Sequence, residues 1–193
     1  MTGDQRIVMV NSSLGCGGAE RVMSILANRW AAAGTDVTIV TIYSPQSDYF
    51  ELDHRVRRHD LQGYRRSRSV LGGVLNNLGR VLKLRRTFKN LGPSVVVSFQ
   101  SENNILSLLA AVGLACPVIV SERNDPRMRS LPSAWDKLRQ ILYRRAAGLV
   151  IQTESLREWG GALIDPSRIS VVPNPVIEPD LDTETGADQA RQQ

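Results

Sequence analysis

The sequence predicts an α/β chain built on a doubly wound, mainly parallel sheet with helices on both faces, and two observations carry that reading. Short runs of Val and Ile recur along the chain and are nearly continuous in apolar residues, the pattern of strands buried on both faces. Between them lie stretches with apolar residues three and four positions apart, so strand and helix alternate and right-handed crossovers follow.

The elements follow in order. "RIVMV" (6–10) is the first strand, and the glycine-rich "NSSLGCGGAER" (11–21) turns from it into a helix. Val22, Ile25, Leu26 and Trp30 repeat along one side of that helix, and Gly34 stops it in the favoured C-terminal position. "VTIVTIY" (37–43) is the second strand. Leu71, Val74, Leu78, Val81 and Phe88 mark a long helix that ends before "LGP". Then come "SVVVSF" (94–99), a helix over 103–114, "PVIVS" (117–121), a helix over 133–146, "GLVIQT" (148–153), a short helix over 154–162 and "ISVV" (169–172). At 193 residues, 42% of them hydrophobic, the chain holds apolar material for one core. One domain is expected over 1–177, with a polar linker or tail over 178–193, where "DLDTETGADQARQQ" has no apolar period.

Composition narrows the class. No run approaches the roughly 18 to 20 consecutive apolar residues that span a bilayer, and "MTGDQRIVMV" lacks the features of a signal peptide, so a soluble, cytoplasmic protein is expected. Cys16 and Cys116 stand alone, without CxxC spacing or a neighbouring His, which points to neither a disulfide framework nor a metal site. Between Arg55 and Lys89 there are eleven Lys or Arg and one acid, Asp60, whereas the remaining thirteen basic residues are outnumbered by eighteen acids. The basic excess therefore belongs to one segment. With a single aromatic, Tyr64, inside its densest cluster, it does not suit a nucleic acid. An anionic membrane surface fits better, with Arg65, Arg66, Arg68, Arg80, Lys83, Arg86 and Lys89 as the contacting cations; a solvated charged face is the other reading. His54 and His59 lie in the same stretch with no catalytic arrangement around them and are expected to be solvated or partly packed.

In a doubly wound sheet ligands bind beyond the carboxyl ends of the strands, which singles out "NSSLGCGGAER", "QSENN", "ERNDP", "TES" and "PNP". Gly17 and Gly18 at the start of a helix offer bare N–H groups and the positive end of the helix dipole to an anion, with Glu20 and Arg21 just inside. The other reading of these glycines is a tight turn needing φ > 0. Neither GxGxxG nor GK[ST] is present. In "SERNDP", Glu122 is placed to act as a base or hold a sugar hydroxyl and Arg123 to clamp phosphate or carboxylate, with Ser121 and Asn124 beside them; an exposed Glu–Arg pair is the alternative. Ser101, Glu102 and Asn103 hold the same position after their strand, although Ser101 or Asn103 would serve equally as a helix N-cap.

Taken together, "GGAERV" (17–22), "VVVSFQSENN" (95–104), "PVIVSERNDP" (117–126), "GLVIQTES" (148–155) and "ISVVPNPV" (169–176) resemble, in order and over about Arg6 to Val176, the N-terminal Rossmann-like domain of a GT-B glycosyltransferase of family 4. The resemblance implies a two-domain enzyme in which this half binds acceptor and a C-terminal half binds the nucleotide sugar. It implies transfer of a hexose-type sugar, with retained anomeric configuration, to a lipid-linked or polysaccharide acceptor in cell-envelope synthesis, at the inner face of the cytoplasmic membrane. Gly17 and Gly18 would approach the donor diphosphate or the reacting oxygen. Glu20, Arg21, Ser101, Glu102, Asn103, Ser121, Asn124, Thr153, Glu154 and Asn174 would line the substrate site, with Glu122 and Arg123 as the catalytic candidates. Many relatives carry a histidine where this chain has "SERNDP". No metal or other cofactor is implied beyond the nucleotide sugar as co-substrate. The paired glutamates of the donor half do not occur in these 193 residues, so the chain alone is expected to be catalytically incomplete. A non-enzymatic module that recruits a separate donor-binding chain is the alternative. A nicotinamide-dependent oxidoreductase is disfavoured, because no acid follows the second strand at the ribose position.

Overall fold

A computed structural model describes residues 5–43, 48–62, 69–128 and 131–175. Seven strands form one parallel sheet: β1 (Arg6–Asn11), β2 (Asp36–Thr41), β3 (Arg57–Asp60), β4 (Val95–Phe99), β5 (Val118–Ser121), β6 (Gly148–Ile151) and β7 (Ile169–Val171). Their order is β3-β2-β1-β4-β5-β6-β7. β1 lies between β2 and β4, with Val8 opposite both Thr38 and Val96. The chain thus lays strands outward from β1 on one side, then returns to lay β4 on the other. A crevice opens above the carboxyl ends of β1 and β4, where the two directions of winding part.

Among the described residues the α-helices are α1 (Gly18–Ala32), α2 (Val70–Leu91), α3 (Ser101–Ala111), α4 (Ser133–Leu142) and α5 (Arg157–Gly161). Alternation along the strands divides the core. Val8, Val10 and Val96 face one way and pack with Leu84 and Phe88 of α2 and Ile105 and Leu108 of α3. Met9, Ile39, Val97 and Phe99 face the other way, against Val22, Met23 and Ala27 of α1. Both helix faces expected from the sequence are therefore present. Gly34 and Gly92 follow α1 and α2 with φ of 87° and 53°, in the left-handed region that closes helices.

Several elements differ from expectation: the helix expected over 133–146 ends at Leu142 and gives way to a 3-10 turn, and the one expected over 154–162 opens as a 3-10 turn before α5. β3 is an extra strand, formed by "RRHD" with no apolar run at all. It pairs only with β2 at the sheet edge, where polar side chains are tolerated, and it is held by the Arg57–Asp36 and Arg58–Asp48 ion pairs. α3 begins at Ser101 instead of 103, because Gln100 makes the turn from β4 itself. The end of the expected domain, 176–177, and the tail over 178–193 lie outside the described residues, as do Arg65, Arg66 and Arg68.

Candidate functional site

The glycine-rich loop enters α1 without any positive φ. Gly17 is the N-cap with φ −84° and no side-chain cap, so the tight-turn reading of these glycines does not hold. A Cβ on Gly17 would run into the Glu20 carboxylate, which folds back beneath it and is 8% exposed. A Cβ on Gly18 would meet nothing within 4 Å. A side chain at Gly17 would thus have to displace the Glu20 carboxylate, whereas Gly18 faces open space at the positive end of a fifteen-residue helix. Arg21 is exposed.

At the end of β4, Gln100 has φ 72° and ψ 142°, a conformation that costs a non-glycine residue about 1–3 kcal/mol and persists only when surroundings impose it. The surroundings do so. Gln100 donates its N–H to the Ser121 carbonyl at 3.0 Å and accepts from the Asn104 N–H at 2.9 Å. Neither Ser101 nor Asn103 is an N-cap. Asn103, buried, donates Nδ2 to the Phe99 carbonyl at 2.9 Å and to Ser12 Oγ at 3.1 Å, which ties the exit of β1 to the start of α3. Ser101 Oγ donates to both carboxylate oxygens of Glu122, at 2.9 and 2.8 Å.

Glu122 is 2% exposed and points into the protein. Besides Ser101 it accepts from the Tyr143 hydroxyl and from Asn104 Nδ2 at 3.4 Å. Burial pushes its pKa above the ordinary 4.5, against the pull of hydrogen bonds from Tyr143 and Ser101, the charge of Arg139 and the bond from Asn104. The same burial, together with the neighbouring carboxylate, drives the fully buried Tyr143 well above the usual phenol value. Arg123 turns away from Glu122. Its guanidinium lies over the Phe99 ring at 5.4 Å and donates Nη1 to Asn174 Oδ1 at 3.0 Å, while Gln152 Nε2 donates to its carbonyl at 2.8 Å. The exposed Glu–Arg pair considered from the sequence is absent: both residues are buried and serve different neighbours.

Arg123 is 8% exposed, its Nε has no hydrogen-bond partner, and no carboxylate pairs with it among the described residues. Burial alone lowers its pKa. A desolvated guanidinium without a counter-charge is costly unless an anion completes it. Glu102 and Asn124 are exposed and line a small cavity with Gln100, Ser101 and Glu122. Ser121, the buried last residue of β5, has an Oγ with no hydrogen-bond partner among the described residues. Thr153 bonds Ser155 at 3.0 Å and Glu154 pairs with Arg157, so both are engaged locally on the surface.

The structure thus brings Gly18, Ser101, Asn103, Glu122, Arg123 and Asn174 to the carboxyl end of the sheet. Sequence reading missed Tyr143, Asn104, Gln152 and the strained Gln100. Asn104 and Gln100 were in view within "QSENN", but nothing in "ILYRR" marks Tyr143 as the partner of a carboxylate twenty-one residues away.

A parallel sheet of this order with helices on both faces is a Rossmann-like fold, of the kind that builds the N-terminal half of GT-B glycosyltransferases. The chain belongs to the glycosyl transferase 4-like domain family, whose model matches residues 17–175. It is 27% identical over 138 residues, 72% of its length, to GalNAc-alpha-(1->4)-GalNAc-alpha-(1->3)-diNAcBac-PP-undecaprenol alpha-1,4-N-acetyl-D-galactosaminyltransferase of Campylobacter jejuni, and covers 37% of that protein. Its fold is similar to that of a glycosyltransferase from Rickettsia africae (TM-score 0.70, 15% identity, 98% of this chain and 49% of that one). It is also similar to MurG of Acinetobacter baumannii (TM-score 0.64, 17% identity, 93% and 47%). The chain spans about half the length of those solved structures.

Proposed function

We propose that this chain is the acceptor-binding half of a retaining glycosyltransferase that moves a sugar from a UDP-sugar to a lipid-linked or polysaccharide acceptor at the cytoplasmic membrane face. The carrying observation is Arg123, a buried cation with no carboxylate partner among the described residues, at the same carboxyl end of the sheet as the open N-terminus of α1. Together they offer fixed positive charge where a phosphate-bearing acceptor or a departing diphosphate would lie. Glu122, bonded to Ser101, Asn104 and Tyr143, braces the loop that presents Arg123. The named acceptor-type of the Campylobacter relative, an undecaprenol-PP glycan, supports a lipid-linked acceptor.

The membrane face of this reading rests on α2. Leu71, Val74, Leu75 and Leu78 are each more than half exposed along its first turns, and Arg86 and Lys89 are exposed at its end. An apolar stripe beside cations is the composition of a helix that lies in a lipid interface. Of the remaining cations assigned to that surface, Lys83 donates to the Leu61 carbonyl at 2.8 Å and Arg80 to Asn77 at 2.7 Å, so these two are anchored to the protein as well.

The test is transfer by the complete enzyme from radiolabelled UDP-sugars to a membrane lipid extract, with this chain alone in parallel. Labelled lipid product with the donor's anomeric configuration, and none from the chain alone, is expected. An inverted product, or no product from any UDP-sugar, overturns the reading.

A further inference from the structure

We propose that the groove between α2 and α4 holds the hydrocarbon tail of the phosphate-bearing lipid acceptor, drawn out of the bilayer. The groove has a volume of about 350 Å³ and falls within the range of small-molecule sites. Val74, Leu78 and Val81 form one wall, Trp135 and Leu138 the other, and Leu106 and Leu109 of α3 line it between them. Asn77 is the only polar side chain among its lining residues.

Three features favour a lipid tail as occupant. Val74 and Leu78 belong both to the groove and to the exposed stripe of α2, so its mouth opens on the face that would meet lipid. Ile141, 63% exposed, follows Leu138 by three residues and extends the apolar surface along α4. The groove begins at Val74 near the start of α2 and at Ala134 and Trp135 in the first turn of α4, the ends of both helices that lie toward the carboxyl ends of the strands, so an apolar chain held here carries its anionic headgroup toward the side where Arg123 lies. An apolar cleft of this kind gains little from water and gains the transfer free energy of every methylene it covers. The inference rests on the lipid-linked acceptor proposed above and adds a place for its tail.

Trp135 makes the groove directly observable. The chain labelled with 5-fluorotryptophan should give three fluorine resonances, assigned by Trp135→Phe, and farnesyl phosphate should move the Trp135 resonance saturably while inorganic phosphate does not. Ala134 is exposed at the groove, so Ala134→Phe can fill it without disturbing the core, and it should weaken the farnesyl phosphate response about tenfold or more. Leu75→Glu with Leu82→Glu lies outside the lining and should keep that response while losing binding to phosphatidylglycerol vesicles. If Trp135 ignores farnesyl phosphate while vesicles still bind, the groove proposal fails and the membrane reading stands. If neither probe binds, both fail. A Trp135 shift that appears only on self-association, or equally with phosphatidylglycerol, assigns the groove to a second copy or to bulk lipid and overturns the proposal.

Discussion

Glu122 and Arg123 are neighbours in sequence with opposite fates. At the end of β5 the side chains still alternate, so one enters the protein toward Tyr143 while the other crosses Phe99 to reach Asn174. The motif "SERNDP" announced a site, yet it carried no sign of which residue would face the ligand, because that depends on partners supplied by α3, by the turn after α4 and by the segment after β7. Burial of Glu122 has a thermodynamic consequence. Its folded-state pKa is raised above its unfolded value near 4.5, so its contribution is most favourable below that pH and is lost as pH rises through the folded pKa. Glu122→Gln should remove this slope from urea unfolding curves followed upward from pH 4.5. Curves with identical pH dependence would mean that Glu122 does not titrate differently on folding. Gly18 gives the complementary case. Gly18→Val should leave the melting temperature within a few degrees and abolish transfer by the complete enzyme, since the added methyls project into open space instead of the core. A stably folded variant with full transfer activity would remove Gly18 from the site.

Helix α2 was readable from its apolar spacing, from the stop before "LGP" and from the cations along it, and the structure places it at Val70–Leu91. Its orientation was less readable. Apolar residues recur along the whole helix, but Leu84 and Phe88 serve the core while Leu71, Leu75 and Leu82 stand exposed. Periodicity reports that one side is apolar, and here the apolar surface is wider than the sheet can cover. β3 was unreadable for the opposite reason: an edge strand with charges on both sides has no hydrophobic period, and its pairing with β2 is fixed by tertiary partners such as Asp36 and Asp48. If the stripe meets lipid, Leu75→Glu with Leu82→Glu should abolish co-sedimentation with anionic vesicles and leave the melting temperature unchanged, because both positions are exposed. Undiminished vesicle binding would move the contact elsewhere.

For the molecule as a whole, the parallel sheet and the ligand-binding end of its strands followed from the alternation of strands and helices, whereas the strand order did not. Nor could the sequence supply the internal bracing of the crevice: the strained Gln100, the Asn103 tie to Ser12, and the Glu122 cluster are long-range contacts between polar residues, and such pairs leave no periodic signal. That bracing holds a rigid edge with positive charge and an apolar flank, which suits a phosphate-bearing lipid acceptor. The direct measurement is titration of this chain, by calorimetry or fluorine NMR, with a polyprenyl-diphosphate glycan in detergent micelles and separately with UDP-sugars. Saturable binding of the lipid-linked glycan, weakened by Arg123→Gln, together with no saturable binding of any UDP-sugar, is the expected result. Tight binding of a UDP-sugar with no response to the glycan would contradict the assignment of this half to the acceptor.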